Sequence, residues 1–121
     1  MVVILTQDLM MSSSAGAVAR ANSVTLKTVS SVAKVMELLQ EHQSPLLLVD
    51  LQMNGLNLDE LASGLAATPD DSRPHSIAYA QHVNVELLEQ GQQAGFDEVV
   101  TRGQLNRGLG ELLTRFGSME N

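Results

Sequence analysis

The chain has 121 residues, 7 basic and 14 acidic, giving a formal charge of −7, and it contains neither cysteine nor tryptophan. That length suits one compact domain, and the acidic balance with an aromatic share of only 2% argues against direct nucleic-acid binding, because the chain would repel phosphates and offers no stacking platforms. No apolar run approaches the roughly 20 residues that cross a bilayer, and Met1–Leu5 lacks a basic n-region, so a cytoplasmic protein with no membrane contact is expected.

In chain order, the first strand is expected over Val2–Thr6 and is followed by a helix whose one face carries Met11, Ala15, Val18 and Ala19. A second strand over Val24–Val29 precedes a helical stripe of Val32, Val35, Met36 and Leu39. Ser44-Pro45 then breaks the chain before a third strand, Leu46–Asp50, and Leu58, Leu61 and Leu65 mark the next helix. The polar segment 68–74 is a loop before the fourth strand, Ser76–Ala80. A weakly patterned helix over Val85–Ala94, interrupted by Gly91, leads to the fifth strand, Glu98–Thr101. The last helix carries Leu105, Leu109, Leu112, Leu113 and Phe116, and residues 117–121 are read as a short tail.

Short apolar strands alternating with crossover helices imply right-handed connections and a parallel sheet covered on both faces. Five such units in this length predict an open, doubly wound α/β sandwich formed by one domain over residues 1–121. In sheets of this kind ligands sit beyond the carboxyl ends of the strands, so functional groups are sought there.

One carboxylate falls in that place without further assumption, because Leu46-Leu47-Leu48-Val49 runs directly into Asp50. The segment Leu48-Val49-Asp50-Leu51-Gln52-Met53-Asn54-Gly55-Leu56 resembles the phosphoacceptor strand and loop of response-regulator receiver domains. Gln93-Ala94-Gly95-Phe96-Asp97-Glu98-Val99-Val100 resembles the approach to their last strand, and the likeness in order and spacing extends through nearly the whole chain. The resemblance implies a flavodoxin-like (βα)5 fold with strand order 2-1-3-4-5 and places Asp50 at the phosphoacceptor position.

The resemblance also supplies expectations that several residues do not meet. In receivers Mg²⁺ is held by the acceptor carboxylate, an acidic pair after the first strand and a carbonyl two residues beyond the acceptor, here Gln52. The acidic-pair positions read Thr6-Gln7, with Asp8 next, so only a weak Mg²⁺ site formed by Asp8, Asp50 and Gln52 is expected. The small hydroxyl residue and alanine that end the fourth strand correspond to Tyr79-Ala80. Tyr79 either donates into the crevice or is a packing residue with a wet hydroxyl. The usual Lys-Pro after the fifth strand reads Arg102-Gly103, and a guanidinium fork is not equivalent to an ammonium point charge. Arg102 either neutralises Asp50 or reaches a phosphoryl group without metal, or it stands exposed on a loop. Val99 occupies the place of a switching aromatic on the output face, and Asn54-Gly55 replaces a proline with other turn chemistry.

His42, His75 and His82 have no zinc-like spacing, and neither a nucleophile elbow nor a P-loop occurs. His82, just after the fourth strand, could meet a partner or be a plain loop residue. Flavin binding, which the fold would permit, has only one tyrosine for ring stacking. No enzymatic activity and no cofactor beyond weak Mg²⁺ are therefore expected. The resemblance implies a protein partner, either a sensor kinase or a downstream signalling protein. Two functions remain open: a degenerate receiver acting as an interaction module, and a working receiver phosphorylated on Asp50.

Overall fold

A computed structural model describes residues 1–117; of the tail expected over 117–121, Gly117 belongs to the last helix and 118–121 lie outside the described residues. The elements alternate as β1 (Val2–Leu5), α1 (Leu9–Ala21), β2 (Leu26–Val29), α2 (Val32–Glu41), β3 (Leu46–Asp50), α3 (Leu58–Ala67), β4 (His75–Ala80), α4 (Val85–Ala94), β5 (Glu98–Thr101) and α5 (Arg102–Gly117). All strand pairs are parallel and their order is β2-β1-β3-β4-β5, as the sequence resemblance implied. Strand limits shift by one or two residues: Thr6 and Val24 fall outside β1 and β2, while His75 joins β4.

Period-two alternation divides the strand side chains between two cores. Val3, Leu5, Leu47, Val49, Ala78 and Ala80 face α2, α3 and α4. Val2, Ile4, Leu46, Leu48, Ile77 and Tyr79 face α1 and α5. β1 and β3 are buried on both faces, which is why they read as unbroken apolar runs.

The helices present the expected stripes, with Leu38 of α2 buried in addition to Val32, Val35 and Leu39, while Val18, Met36, Leu58 and Leu112 are only partly buried. The weak pattern of α4 has a steric reason. Gly91 is its one buried residue, and a Cβ there would stand 3.0 Å from Leu51 Cδ1 and 3.4 Å from Val99 Cγ2, so the helix backbone itself lies against the sheet. Gly95 closes α4 in the left-handed conformation, φ 91°, which glycine adopts without a Cβ penalty.

Candidate functional site

The site is the continuation of one core layer past the ends of the strands. Ile4, Leu48 and Ile77 bury toward α1 and α5, joined by the partly buried Val100. Two positions further along the chain come Asp50 and Tyr79, still in β3 and β4 and on the same side, with Thr6 just past β1 and Arg102 at the start of α5. With the neighbouring Gln7, Asp8, Gln52, Met53 and Asn54, three of these four (Asp50, Tyr79 and Arg102) line a crevice of about 190 Å³.

Asp50 is 8% exposed and its carboxylate is held by two donors. The Thr6 hydroxyl donates to Oδ2 at 2.7 Å, and the Gln52 backbone N–H donates to Oδ1 at 2.9 Å. Thr6 in turn accepts the N–H of Asp8 at 3.0 Å, so the β1–α1 turn and the tip of β3 share one hydrogen-bonded chain. The Gln52 side chain leaves this chain and accepts the Gln81 N–H at 2.6 Å, tying the loop after β3 to the turn after β4. Beyond it, Gly55 takes φ 76°, the backbone conformation that the Asn54-Gly55 pair suits.

Asp8 serves two elements at once. Its Oδ1 caps α1 by accepting from Met10 N at 2.9 Å and Met11 N at 3.2 Å. Its Oδ2 pairs with Arg102 Nη2 at 2.5 Å, with both side chains about a quarter to a third exposed. Burial pushes the Asp8 carboxyl up, but the Met11 N–H, the Arg102 charge and the Met10 N–H outweigh it and hold the group below the ordinary aspartate value. The partner expected for Arg102 is thereby corrected from Asp50 to Asp8.

Its position is corrected as well, since Arg102 opens α5 and does not stand on a loop. The cause is a capping box in Thr101-Arg102-Gly103-Gln104. Gln104 N–H donates to Thr101 Oγ1 at 3.2 Å, while Thr101 N–H donates to Gln104 Oε1 at 2.9 Å. The spacing of Thr101 and Gln104 is a sequence signal for a helix start that the expectation of a loop missed.

Tyr79 departs from the expected packing residue with a wet hydroxyl. It is 2% exposed, and its hydroxyl oxygen, under 1 Å² accessible, has no hydrogen-bond partner among the described residues. Strand register sets it beside Asp50. Burial, then the Asp50 charge, push the phenol well above the ordinary tyrosine range, with the nearby Thr6 hydroxyl opposing.

Ala80 is buried on the opposite face, in the core with α2 to α4. Val99 is partly buried in the same core, against Gly91. Gln7 and His82 are exposed, His82 in the turn after β4. His75, outside the crevice, pairs with Glu98 at 2.6 Å and stacks on Phe116 with ring centroids 5.2 Å apart.

No family model matches the sequence, and the search of curated proteins found no match. Solved structures do match. The receiver domain of the sensor histidine kinase PA1611 from Pseudomonas aeruginosa, with magnesium coordinated in its active-site cleft, superposes with a TM-score of 0.78 at 14% identity, over 97% of this chain and 96% of that one. This chain has the receiver-domain fold. The chemotaxis response regulator CheY4 of Vibrio cholerae gives a TM-score of 0.75 at 10% identity, covering 95% and 96% of the two chains. The receiver domain of Ssk1 from Saccharomyces cerevisiae, solved with the phosphotransfer protein Ypd1, gives 0.75 at 16%, covering 98% and 88%.

Within this receiver fold the donor set does not suit magnesium as it stands. No three His, Cys, Asp or Glu side chains converge on one point among the described residues. Of the two crevice carboxylates, Asp8 already has one oxygen on the α1 cap and the other on a guanidinium. Mg²⁺ demands near-octahedral oxygens at about 2.1 Å, and a cation approaching Asp8 would have to displace Arg102.

Proposed function

We propose that this chain is a degenerate receiver: a cytoplasmic, non-enzymatic signalling domain, single over its 121 residues, that works by docking to a protein partner. The observation that carries the reading is the Asp8–Arg102 ion pair, which spends the carboxylate nearest the expected acidic pair on an internal cation. Tyr79 adds to it, because a buried phenol stands where receivers place a small hydroxyl. Docking is assigned to the face of α4, β5 and α5, with Val99 packed beneath it against Gly91, and the partner to a sensor kinase or a downstream signalling protein. Val83, in the turn before α4, and Val85, at its start, are 68% and 56% exposed and supply apolar surface there.

A second reading keeps phosphorylation. Asp50 stands at the tip of β3, lines the crevice and spends only one hydrogen bond on each oxygen, so a lone pair on each remains for an incoming phosphorus. In that reaction an Asp50 oxygen bonds to phosphorus as the bond from phosphorus to a kinase histidine nitrogen breaks.

Intact mass after brief exposure to Mg²⁺ and a small-molecule phosphodonor separates the two. The degenerate reading expects no mass gain while a control receiver is modified; one phosphoryl group on wild type but not on Asp50→Asn would establish the second.

A further inference from the structure

We propose that Arg102 is a built-in occupant of the cation position: its guanidinium neutralises Asp8 in place of a divalent ion, and its removal turns the crevice into a divalent-cation site formed by Asp8 and Asp50. The inference deepens the degenerate-receiver reading and rests on it for the claim that the wild-type crevice works without metal.

Three observations converge on it. Arg102 Nη2 lies 2.5 Å from Asp8 Oδ2, and the capping box at Thr101 and Gln104 fixes the helix start from which the side chain reaches. Asp50 is fastened through neutral donors, the Thr6 hydroxyl and the Gln52 N–H, one on each carboxylate oxygen, and no ion pair is formed with it among the described residues. Asp8, Asp50 and Arg102 line the same crevice and sum to a single negative charge. Without Arg102 the same walls carry two, and Asp8 Oδ2 is released while Oδ1 still caps α1. Two carboxylates with water completing the shell are an ordinary arrangement for a hard divalent cation. A positive charge a few ångströms from such a cation opposes its binding strongly in a partly desolvated crevice, so its loss should tighten affinity at least about tenfold.

The chain carries its own probe. Tyr79 is the only tyrosine and there is no tryptophan, so terbium luminescence excited through tyrosine reports on ions bound beside Tyr79. Full-length wild type, Arg102→Gln and Arg102→Met would be titrated with terbium and then with Mg²⁺ as competitor. The methionine variant keeps an aliphatic stem in case the glutamine variant packs poorly, and circular dichroism checks the fold of each. The expected result is no saturable sensitised emission from wild type and saturable, Mg²⁺-displaceable emission from the folded variant. Adding Asp50→Asn to that variant should abolish the signal.

Saturable binding to wild type at the variant's affinity overturns the proposal, as does a folded variant that stays silent or a signal that survives Asp50→Asn. The outcomes also separate it from the underlying reading. A silent variant beside an unphosphorylated wild type removes only the role given to Arg102, whereas wild type that binds Mg²⁺ and takes a phosphoryl group on Asp50 removes both.

Discussion

Tyr79 is where a single residue sets measurable behaviour. A buried hydroxyl without a hydrogen-bond partner costs about 1–3 kcal/mol, so Tyr79→Phe, which deletes that oxygen and keeps the ring, should stabilise the protein by about 1 kcal/mol in urea unfolding. The raised phenol pKa has a definite sign. Above about pH 10 the unfolded chain releases this proton while the folded chain retains it, so stability present below that pH is lost as pH rises further. Unfolding measured from pH 8 to 11 should show this alkaline loss in wild type and a smaller loss in Tyr79→Phe. At this scale the sequence was legible for Asp50, because an apolar run ending in aspartate permits one placement. Arg102 was not legible, since Asp8 and Asp50 are both within plausible reach of a guanidinium and only the direction of the first turn of α5 decides between them.

That first turn depends on Thr101 and Gln104, so the capping box acts on the site as well as on the helix. Thr101→Ala removes the hydroxyl that accepts the Gln104 N–H and should cost about 1 kcal/mol of stability. It should also weaken the coupling between Asp8 and Arg102, measured by a double-mutant cycle with Asp8→Asn and Arg102→Gln in each background. Asparagine at position 8 retains a capping oxygen, so the cycle isolates the ion pair. Among the elements, β1 and β3 were plain in the sequence because strands buried on both faces need apolar residues at every position. α4 was faint because its close approach to Leu51 and Val99 is made through glycine, and a missing side chain leaves no mark in a hydrophobic period. The edge strand β2, with Lys27 and Thr28 exposed, was bounded two residues too early for the opposite reason: Val24 is buried without belonging to the ladder.

The molecule as a whole is one sheet between two cores that touch mainly through the sheet itself. Leu61 lies in the core beneath α2 to α4 and Leu113 in the core beneath α1 and α5. Each Leu→Ala replacement should cost about 2–5 kcal/mol. Because they share no packing partner, the double variant should fall within about 0.5 kcal/mol of the sum in chemical denaturation, while both singles still unfold in one transition. That both faces of the sheet are covered was readable from the unbroken apolar runs of β1 and β3, and the parallel direction followed from the crossovers, while the strand order came from the family resemblance.

α5 runs the full height of that sandwich. At one end Arg102 is held to Asp8, and roughly 21 Å along the axis, at 1.5 Å per residue, Phe116 is held against the ring of His75, which Glu98 fixes in turn. The helix is thus a strut pinned at both ends. Sliding it along its axis would break an ion pair at one pin and shear a ring stack at the other, and rolling it would lift Leu105, Leu109 and Leu113 out of the core, so neither motion is cheap.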